Sequence, residues 1–354
     1  MAAHDDTAGA PRAGGADRSG FAHRKLLGIL SGSWLAQACY AVVRLGVPDL
    51  LGDGPSTVED LAAVSGADPG VLHRILRALA AAGVFRHLEP RVFAHNQVSE
   101  LLRSDAPGSA HLIALMQGDE VFRSFAEIMH TVRTGQPSFA KVYGMSFYDY
   151  LDANPDAARA FNEPMGGQGP VPSLSTCDFS DIEVVVDVGG GNGTLLGEVL
   201  AGNPGVRGVL LERPDAISRA RSKLTELGLD DRVTYVEGDF FSSVPTGGDV
   251  YVLARILHNW TDEHCIELLR RVHSAMAPGT RLLVMEEMLP EDGSAGASAV
   301  TPGLVDLLML VTVEGHDRTA GEYCDLLVKA GFAVVDTRRA AASPSSGVIE
   351  AVPA

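Results

Sequence analysis

The stretch Val184-Val-Val-Asp187-Val-Gly189-Gly-Gly191-Asn-Gly193-Thr-Leu-Leu196 constrains this chain more than any other. A β-branched apolar run ends in an acid and closely spaced glycines, and hydrophobic, helix-like sequence follows at once. That order predicts a buried parallel strand, a tight turn and a helix N-terminus. Glycines let the backbone turn sharply and lie against a ligand with no Cβ in the way. Doubly wound α/β sheets hold nucleotide-like cofactors at such a turn.

The details of the turn separate two cofactors. A dinucleotide site has the spacing G-x-G-x-x-G, with the helix N-terminus on a pyrophosphate. Here the glycines fall at 189, 191 and 193, and Thr194 stands in place of the last glycine. Asp187 precedes the turn; an anion there repels a pyrophosphate and suits a cationic cofactor. S-adenosylmethionine has a sulfonium, an amino group and no phosphate, so it fits better than NAD. A purely structural turn is the third reading. Val206 to Leu211 predicts a second strand ending in Glu212, an acid placed to accept from both ribose hydroxyls of either cofactor. A third predicted strand, from Val233, ends in Gly238-Asp239-Phe240. Asp239 can accept from an adenine amino group, and Phe240 can lie on the ring.

With 354 residues the chain has room for two domains and a large core. It has no apolar run of membrane length by this reading, so a soluble protein is expected. Residues 1–20 are rich in Gly, Ala and Asp and lack an apolar core, which reads as a disordered tail rather than a secretory signal. Cys39, Cys177, Cys265 and Cys324 are scattered with no C-x-x-C pair, as expected of free thiols in a reducing cytoplasm and not of a disulfide frame or metal site. The formal net charge of −17 opposes nucleic acid and anionic membranes as partners.

Residues 21 to about 150 follow helical patterns. Thr57 and then Asp68-Pro69 start two short helices, and Val84-Phe85 with Val92-Phe93 read as a two-stranded wing. A winged helix-turn-helix invites a DNA-binding reading, such as a ligand-responsive transcription regulator. Between Ser56 and Asp105, however, five arginines face six acids, with no basic stripe. The alternative use is packing on a second copy as a dimer interface. Prolines and glycines between Asn162 and Pro172 predict a break or hinge that no helix crosses. The expected domains are a 1–20 tail, a 21–165 helical winged-helix domain, and a 166–354 α/β domain.

Reactive residues follow the fourth predicted strand, Asp249 to Arg255. His258-Asn259-Trp260 comes next, and Thr261 caps a helix. The fifth predicted strand, Arg281 to Glu287, brings Glu286 to the same sheet edge. Asp317-Arg318 precedes a helix opened by the capping box Thr319-x-x-Glu322. This set suits alkyl transfer to a weak oxygen acid. A phenol, with a pKa near 10, is mostly protonated at neutral pH. A histidine can take its proton as oxygen attacks a methyl carbon, and a carboxylate on the far imidazole nitrogen would fix the tautomer. A structural or surface histidine is the bland alternative.

Asp187-Val-Gly-Gly-Gly-Asn-Gly193, Gly238-Asp239-Phe240, Leu257-His258-Asn-Trp260-Thr-Asp-Glu263, Glu286-x-x-Leu-Pro290 and Asp317-Arg318-Thr319 occur in that order. Together they resemble the class I, metal-independent, S-adenosylmethionine-dependent small-molecule O-methyltransferases. The likeness is to bacterial antibiotic and polyketide tailoring enzymes, with plant phenolic enzymes as cousins, and it covers about residues 21–354. It implies a Rossmann-like class I methyltransferase domain with a mostly α-helical N-terminal winged-helix dimerisation domain, and a cytoplasmic homodimer. His258 would be the general base, flanked by Glu286 and Asp317. Asp187, Gly189, Gly191, Glu212, Asp239, Phe240 and Arg255 would contact S-adenosyl-L-methionine, which leaves as S-adenosyl-L-homocysteine; no metal is implied. Met116, Phe122, Phe125, Met129, Phe161, Met165, Asn259 and Met309 are the candidate lining for an aromatic acceptor.

Three departures stand out. Asn259 replaces a frequent Asp, Asp317 replaces the Glu of the plant enzymes, and the Pro164–Pro172 stretch replaces a longer helix, predicting an altered pocket wall. Within the same fold the alternatives are methyl transfer to nitrogen or carbon, or a relative using the cofactor in another reaction. An NAD-dependent dehydrogenase is opposed by Thr194 and Asp187.

Overall fold

A computed structural model of the chain describes residues 15–167, 172–291, 300–341 and 343–354. The chain divides into two compact units, the first reaching Asp119 and the second running from Glu120 to Ala354. The sequence places its domain boundary at 165/166. The helices between, among them Phe122–Ala126 and Ser138–Tyr143, contact the later helix Val300–Thr312 of the second unit.

The first unit opens with helices Gly15–Leu30 and Gly32–Arg44, joined through Ser31. Residues 1–14 of the expected tail lie outside the described residues, and Gly15 to Gly20 are already helical. The segment Gly20–Arg44 is long and apolar enough, by length and composition, to cross a membrane. This corrects the expectation of no such run. Leu26 to Val43 carries no charge, but interspersed Gly, Ser and Ala dilute it as a pattern. Phe21, Ile29, Leu30 and Trp34 stand more than half exposed on this segment. Further on, Thr57 accepts from Asp60 N at 3.1 Å and Asp68 from Val71 N at 2.8 Å, capping helices Val58–Ser65 and Pro69–Ala81. Strands Arg86–Glu89 and Val92–Ala94 pair antiparallel, and Ser56–Thr57 pairs with the latter. These elements occupy the stretch read as a winged helix-turn-helix.

In the second unit the helix Pro155–Gly167 runs unbroken through Pro164, Gly166 and Gly167. The expected break, and the altered pocket wall inferred from it, are therefore withdrawn up to Gly167; residues 168–171 lie outside the described residues. Pro164 falls in the last turn of this helix.

The α/β sheet begins with β1 (Val184–Val188), followed by β2 (Arg207–Glu212), β3 (Val233–Glu237), β4 (Val250–Ala254), β5 (Arg281–Leu289), β6 (Phe332–Ala340) and β7 (Ser343–Pro353). Their spatial order is β3-β2-β1-β4-β5-β7-β6. The first five strands pair in parallel, and β7 lies antiparallel between β5 and β6. The two-residue strand Arg318–Thr319 pairs in parallel with the end of β5, Met288 opposite Arg318. Successive residues alternate between two apolar cores. Val186, Tyr251, Leu253, Leu282 and Val284 face one, while Val185, Val250, Val252, Leu283 and Met285 face the other. A sheet covered on both faces reads as continuous apolar strands, as these do. The order reverses at β1, so a crevice opens at the carboxyl ends of β1 and β4, the usual ligand site of such sheets.

Candidate active site

A pocket of about 400 Å³ occupies that crevice. Its lining includes Asp187, Gly189, Gly191, Glu212, Asp239, Phe240, Arg255, His258, Asn259 and Phe161. All seven residues expected at the cofactor thus meet in one place, together with the expected base. Their common origin is the parallel sheet: β1, β2, β3 and β4 each end in this crevice.

The glycine turn adopts the conformation its sequence demands. Gly189, Gly191 and Gly193 all have positive φ, between 58° and 74°, the left-handed region that costs other residues most. Asn192 Oδ1 accepts from Thr194 N at 3.3 Å and from Thr194 Oγ1 at 2.6 Å. One N–H of the helix N-terminus that would receive a pyrophosphate, that of Thr194, is therefore already taken by the turn's own side chain. Below the turn lies Asp187, 1% exposed, with neither carboxylate oxygen hydrogen-bonded among the described residues. Burial, and then the charge of Glu212, push its pKa up to about 7. A buried carboxylate without a partner at a ligand pocket fits a cationic ligand, and the amino group and sulfonium of S-adenosylmethionine meet that requirement.

Glu212 accepts from Gly191 N at 3.1 Å and from Arg213 N at 2.8 Å, one bond to each oxygen. Each oxygen keeps a second lone pair, so the carboxylate is fixed in place yet still able to accept from ribose hydroxyls. Asp239 is exposed and accepts from Phe241 N at 2.9 Å and from Ser242 Oγ at 3.3 Å. A Cβ on Gly190 would collide with the Asp187 carboxylate and with Leu210. Gly190→Ala is accordingly expected to push the turn outward and weaken S-adenosylmethionine binding tenfold or more, about 1.4 kcal/mol. Calorimetric titration of the variant checks this.

His258 lies on the turn Leu257–Asn259 after β4, its side chain 15% exposed. Its Nδ1 faces Glu286 Oε2 at 3.2 Å and Asp317 Oδ1 at 3.6 Å. Both carboxylate side chains are fully buried. These are ion-pair separations and not hydrogen bonds, the Asp317 oxygen being too distant for one, and Nδ1 has no such partner among the described residues. Contacts of this kind tighten once substrates are bound. Burial disfavours the imidazolium, but Glu286 and then Asp317 outweigh it and hold the His258 pKa above its ordinary value; Arg255 opposes them. Burial likewise raises the Glu286 pKa, against the pull of His258. Glu286 also accepts from Leu257 N through Oε1 at 2.8 Å, so one carboxylate holds both the turn and the ring it carries.

Arg255 has φ of 57°, one of two non-glycine residues with positive φ among the described residues. Asn259 Nδ2 donates to its carbonyl at 3.1 Å, a bond that an Asp at this position could not donate.

The remaining acceptor candidates are dispersed. Phe161 and Asn259 line the pocket, whereas Met116, Phe122, Phe125, Met129 and Met309 are not among its lining residues. Met309 is buried in the helix Val300–Thr312, Phe122 and Met129 are exposed, and Met116 is buried in the first unit. Met165 lies on the helix Pro155–Gly167, with its side chain outside the described residues. Missed by sequence reasoning were Tyr148 and Trp260, whose rings stack with centroids 6.2 Å apart, and Phe241, packed edge-on against Trp260. The adjacency of Trp260 to His258 was the available signal; nothing local marked Tyr148.

Comparison with known proteins identifies the family. A family model for the O-methyltransferase domain matches residues 125–333, and one for the O-methyltransferase dimerisation domain matches residues 27–105. A phenazine O-methyltransferase of Lysobacter antibioticus is 39% identical over 87% of this chain and 90% of its own length. An 8-amino-8-demethylriboflavin N,N-dimethyltransferase of Streptomyces davaonensis is 37% identical, covering 85% and 87%. Among solved structures, a mitomycin 7-O-methyltransferase aligns with a TM-score of 0.88 at 38% identity, over 96% of this chain and 100% of that one. An O-methyltransferase from neocarzinostatin biosynthesis, in complex with S-adenosylmethionine and 2-hydroxy-5-methyl naphthoic acid, aligns with a TM-score of 0.79 at 29% identity, over 90% and 96%. The chain is an S-adenosylmethionine-dependent enzyme with a class I methyltransferase fold, and it belongs to the O-methyltransferase family.

Proposed function

We propose that this enzyme methylates a hydroxyl of an aromatic, polyketide-type small molecule in secondary metabolism, with His258 as general base. The observation that supports this reading best is the imidazole itself, at the edge of the cofactor pocket with Nδ1 turned to two buried carboxylates. Bound S-adenosylmethionine supplies an electrophilic methyl group and departs as S-adenosylhomocysteine. Asp187 and the glycine turn would hold its amino-acid part, Glu212 its ribose, and Asp239 and Phe240 its adenine, with Arg255 beside them. Glu286 and Asp317 keep the proton of neutral His258 on Nδ1 and stabilise the imidazolium that forms. Nε2 is thereby left to take the acceptor's hydroxyl proton while oxygen bonds to the methyl carbon. Such base catalysis contributes roughly 10²–10⁴ in rate. Phe161, Tyr148 and Trp260 offer flat apolar contact to an aromatic acceptor.

The same reading covers assembly. The exposed apolar segment Gly20–Arg44 falls largely within the match to the dimerisation domain, and a second copy of the chain would cover it. Transfer to nitrogen, as the name of the riboflavin-type relative describes for that protein, is the second reading. An amine acceptor already carries a free lone pair near neutrality when its pKa is low, so it would depend far less on His258.

The test is label transfer from methyl-labelled S-adenosylmethionine to matched phenols and anilines, wild type beside His258→Ala, with cofactor affinity measured for both. Transfer to the phenol that collapses in the variant, at unchanged affinity, is the expected result. Transfer to the aniline alone would select the nitrogen reading.

A further inference from the structure

Arg318 is the largest fully buried side chain among the described residues, 1% exposed, and it stands beside the site without lining the pocket. Its guanidinium makes five hydrogen bonds. Nε and Nη2 donate to Asp262 Oδ1 at 3.0 and 2.7 Å, Nη2 to the carbonyl of Trp260 at 2.9 Å, and Nη1 to the carbonyls of Leu257 and His316, both at 3.2 Å. Leu257 and Trp260 bracket His258. The five-donor fork therefore grips the turn that carries the imidazole at both ends.

The surroundings point the same way. Arg318 follows Asp317, which faces the imidazole, so one segment both presents a carboxylate to the ring and holds the ring's backbone. That segment is itself pinned to β5, the strand bearing Glu286, through the pairing of Arg318 with Met288. Gly315 lies so close to the turn that a Cβ there would collide with the His258 carbonyl and with Asn259. Cys265 Sγ adds a bond to the Leu257 carbonyl at 3.1 Å. Burying a guanidinium is costly unless all its donors are used, and an apolar side chain would fill the space at less expense. What the arginine supplies is fixed geometry.

We propose that Arg318 is a positioning residue: it clamps the His258 turn against Glu286 and Asp317, so that Nδ1 faces inward and Nε2 faces the acceptor. This rests on His258 being the base. Misplacement of a catalytic group by about 1 Å can lower the rate roughly 10²-fold.

The test uses Arg318→Lys, which keeps the charge but has no fork, and Asp262→Ala, which removes the half-exposed anchor and spares the core. Turnover is expected to slow by roughly ten- to a hundredfold in the lysine variant and by roughly three- to tenfold in the alanine variant. Cofactor Kd and KM should stay within threefold of wild type. In protein carrying ¹⁵N-labelled histidine, the His258 resonances should report one tautomer, protonated on Nδ1, in wild type and a mixture in both variants. Wild-type turnover in both variants with an unchanged His258 spectrum overturns the proposal. So does a rate loss that merely tracks the fraction of protein able to bind cofactor. Should Arg318→Lys not fold, Asp262→Ala decides by the same readouts. If wild type methylates no acceptor, the function proposed above fails, while the His258 spectra still decide the clamp.

Discussion

Replacing Glu286 by Gln is expected to slow turnover by about 10³–10⁴ at nearly unchanged cofactor affinity, because it installs the wrong histidine tautomer. Glu286 Oε1 accepts from Leu257 N, and Oε2 faces His258 Nδ1 at 3.2 Å. In the variant the amide oxygen keeps the bond to Leu257, and the NH₂ group takes the place of Oε2. A donor there requires an acceptor at Nδ1, so the imidazole proton moves to Nε2. A protonated Nε2 cannot accept the hydroxyl proton. Asp317, at 3.6 Å, resists the change without preventing it. Single-turnover label transfer with parallel calorimetry measures the effect. Activity within tenfold of wild type would show that Glu286 does not set the tautomer.

The second large effect concerns Asp187. In the unfolded chain its carboxyl titrates near 3.8; burial and the charge of Glu212 push it up to about 7 in the fold. Between these values the folded state binds more protons, so stability falls as pH rises through the window. The full loss above pH 7 is of the order of 4 kcal/mol. Asp187→Asn removes the titrating group at nearly constant shape. The cofactor-free variant is expected to melt several degrees higher than wild type at pH 8, and no higher at pH 4. The same change removes the anion that meets the cofactor's cationic groups, so S-adenosylmethionine should bind roughly 10- to 100-fold more weakly, about 1.4–2.8 kcal/mol. Wild-type affinity should fall as pH drops below about 7, where Asp187 is protonated, and the variant should lose this dependence. Thermal melts and calorimetry across pH 5–8 test both statements. A variant that is less stable and binds the cofactor as tightly as wild type would remove Asp187 from the site.

Much of this site was legible in the sequence because its carriers are local. An apolar strand, a glycine turn and an acid at the strand end are contiguous, and parallel strands deliver such ends to one edge. Asp187, Glu212, Asp239 and His258 follow from that rule. Glu286 and Asp317 were placed beside His258 through the resemblance, and the geometry puts them there.

What escaped depends on segments that meet only in space. Arg318, an ordinary member of a motif, is a buried fork reaching residues 56 to 61 positions away. Tyr148 comes from a helix well before the first strand of the sheet, and no periodicity announces its stacking on Trp260. Met309 and Phe122 were placed through the resemblance, which carries no information on this chain's own packing: Met309 is buried in its helix and Phe122 is exposed. The helix through Pro164 and Gly167 shows the opposite error: local propensity predicted a break, and the fold carries the helix past it.

The most direct test of the account is the pH dependence of kcat/KM for methyl transfer to a phenol, in wild type and His258→Ala. Glu286 and Asp317 hold the His258 pKa above its ordinary value, and only the neutral ring can act as base. The wild-type profile should therefore rise with pH through a limb lying above about 6.5, and that limb should vanish in the variant along with most of the rate. The same limb in His258→Ala, or a variant as fast as wild type near neutral pH, would contradict the assignment of His258 as the base.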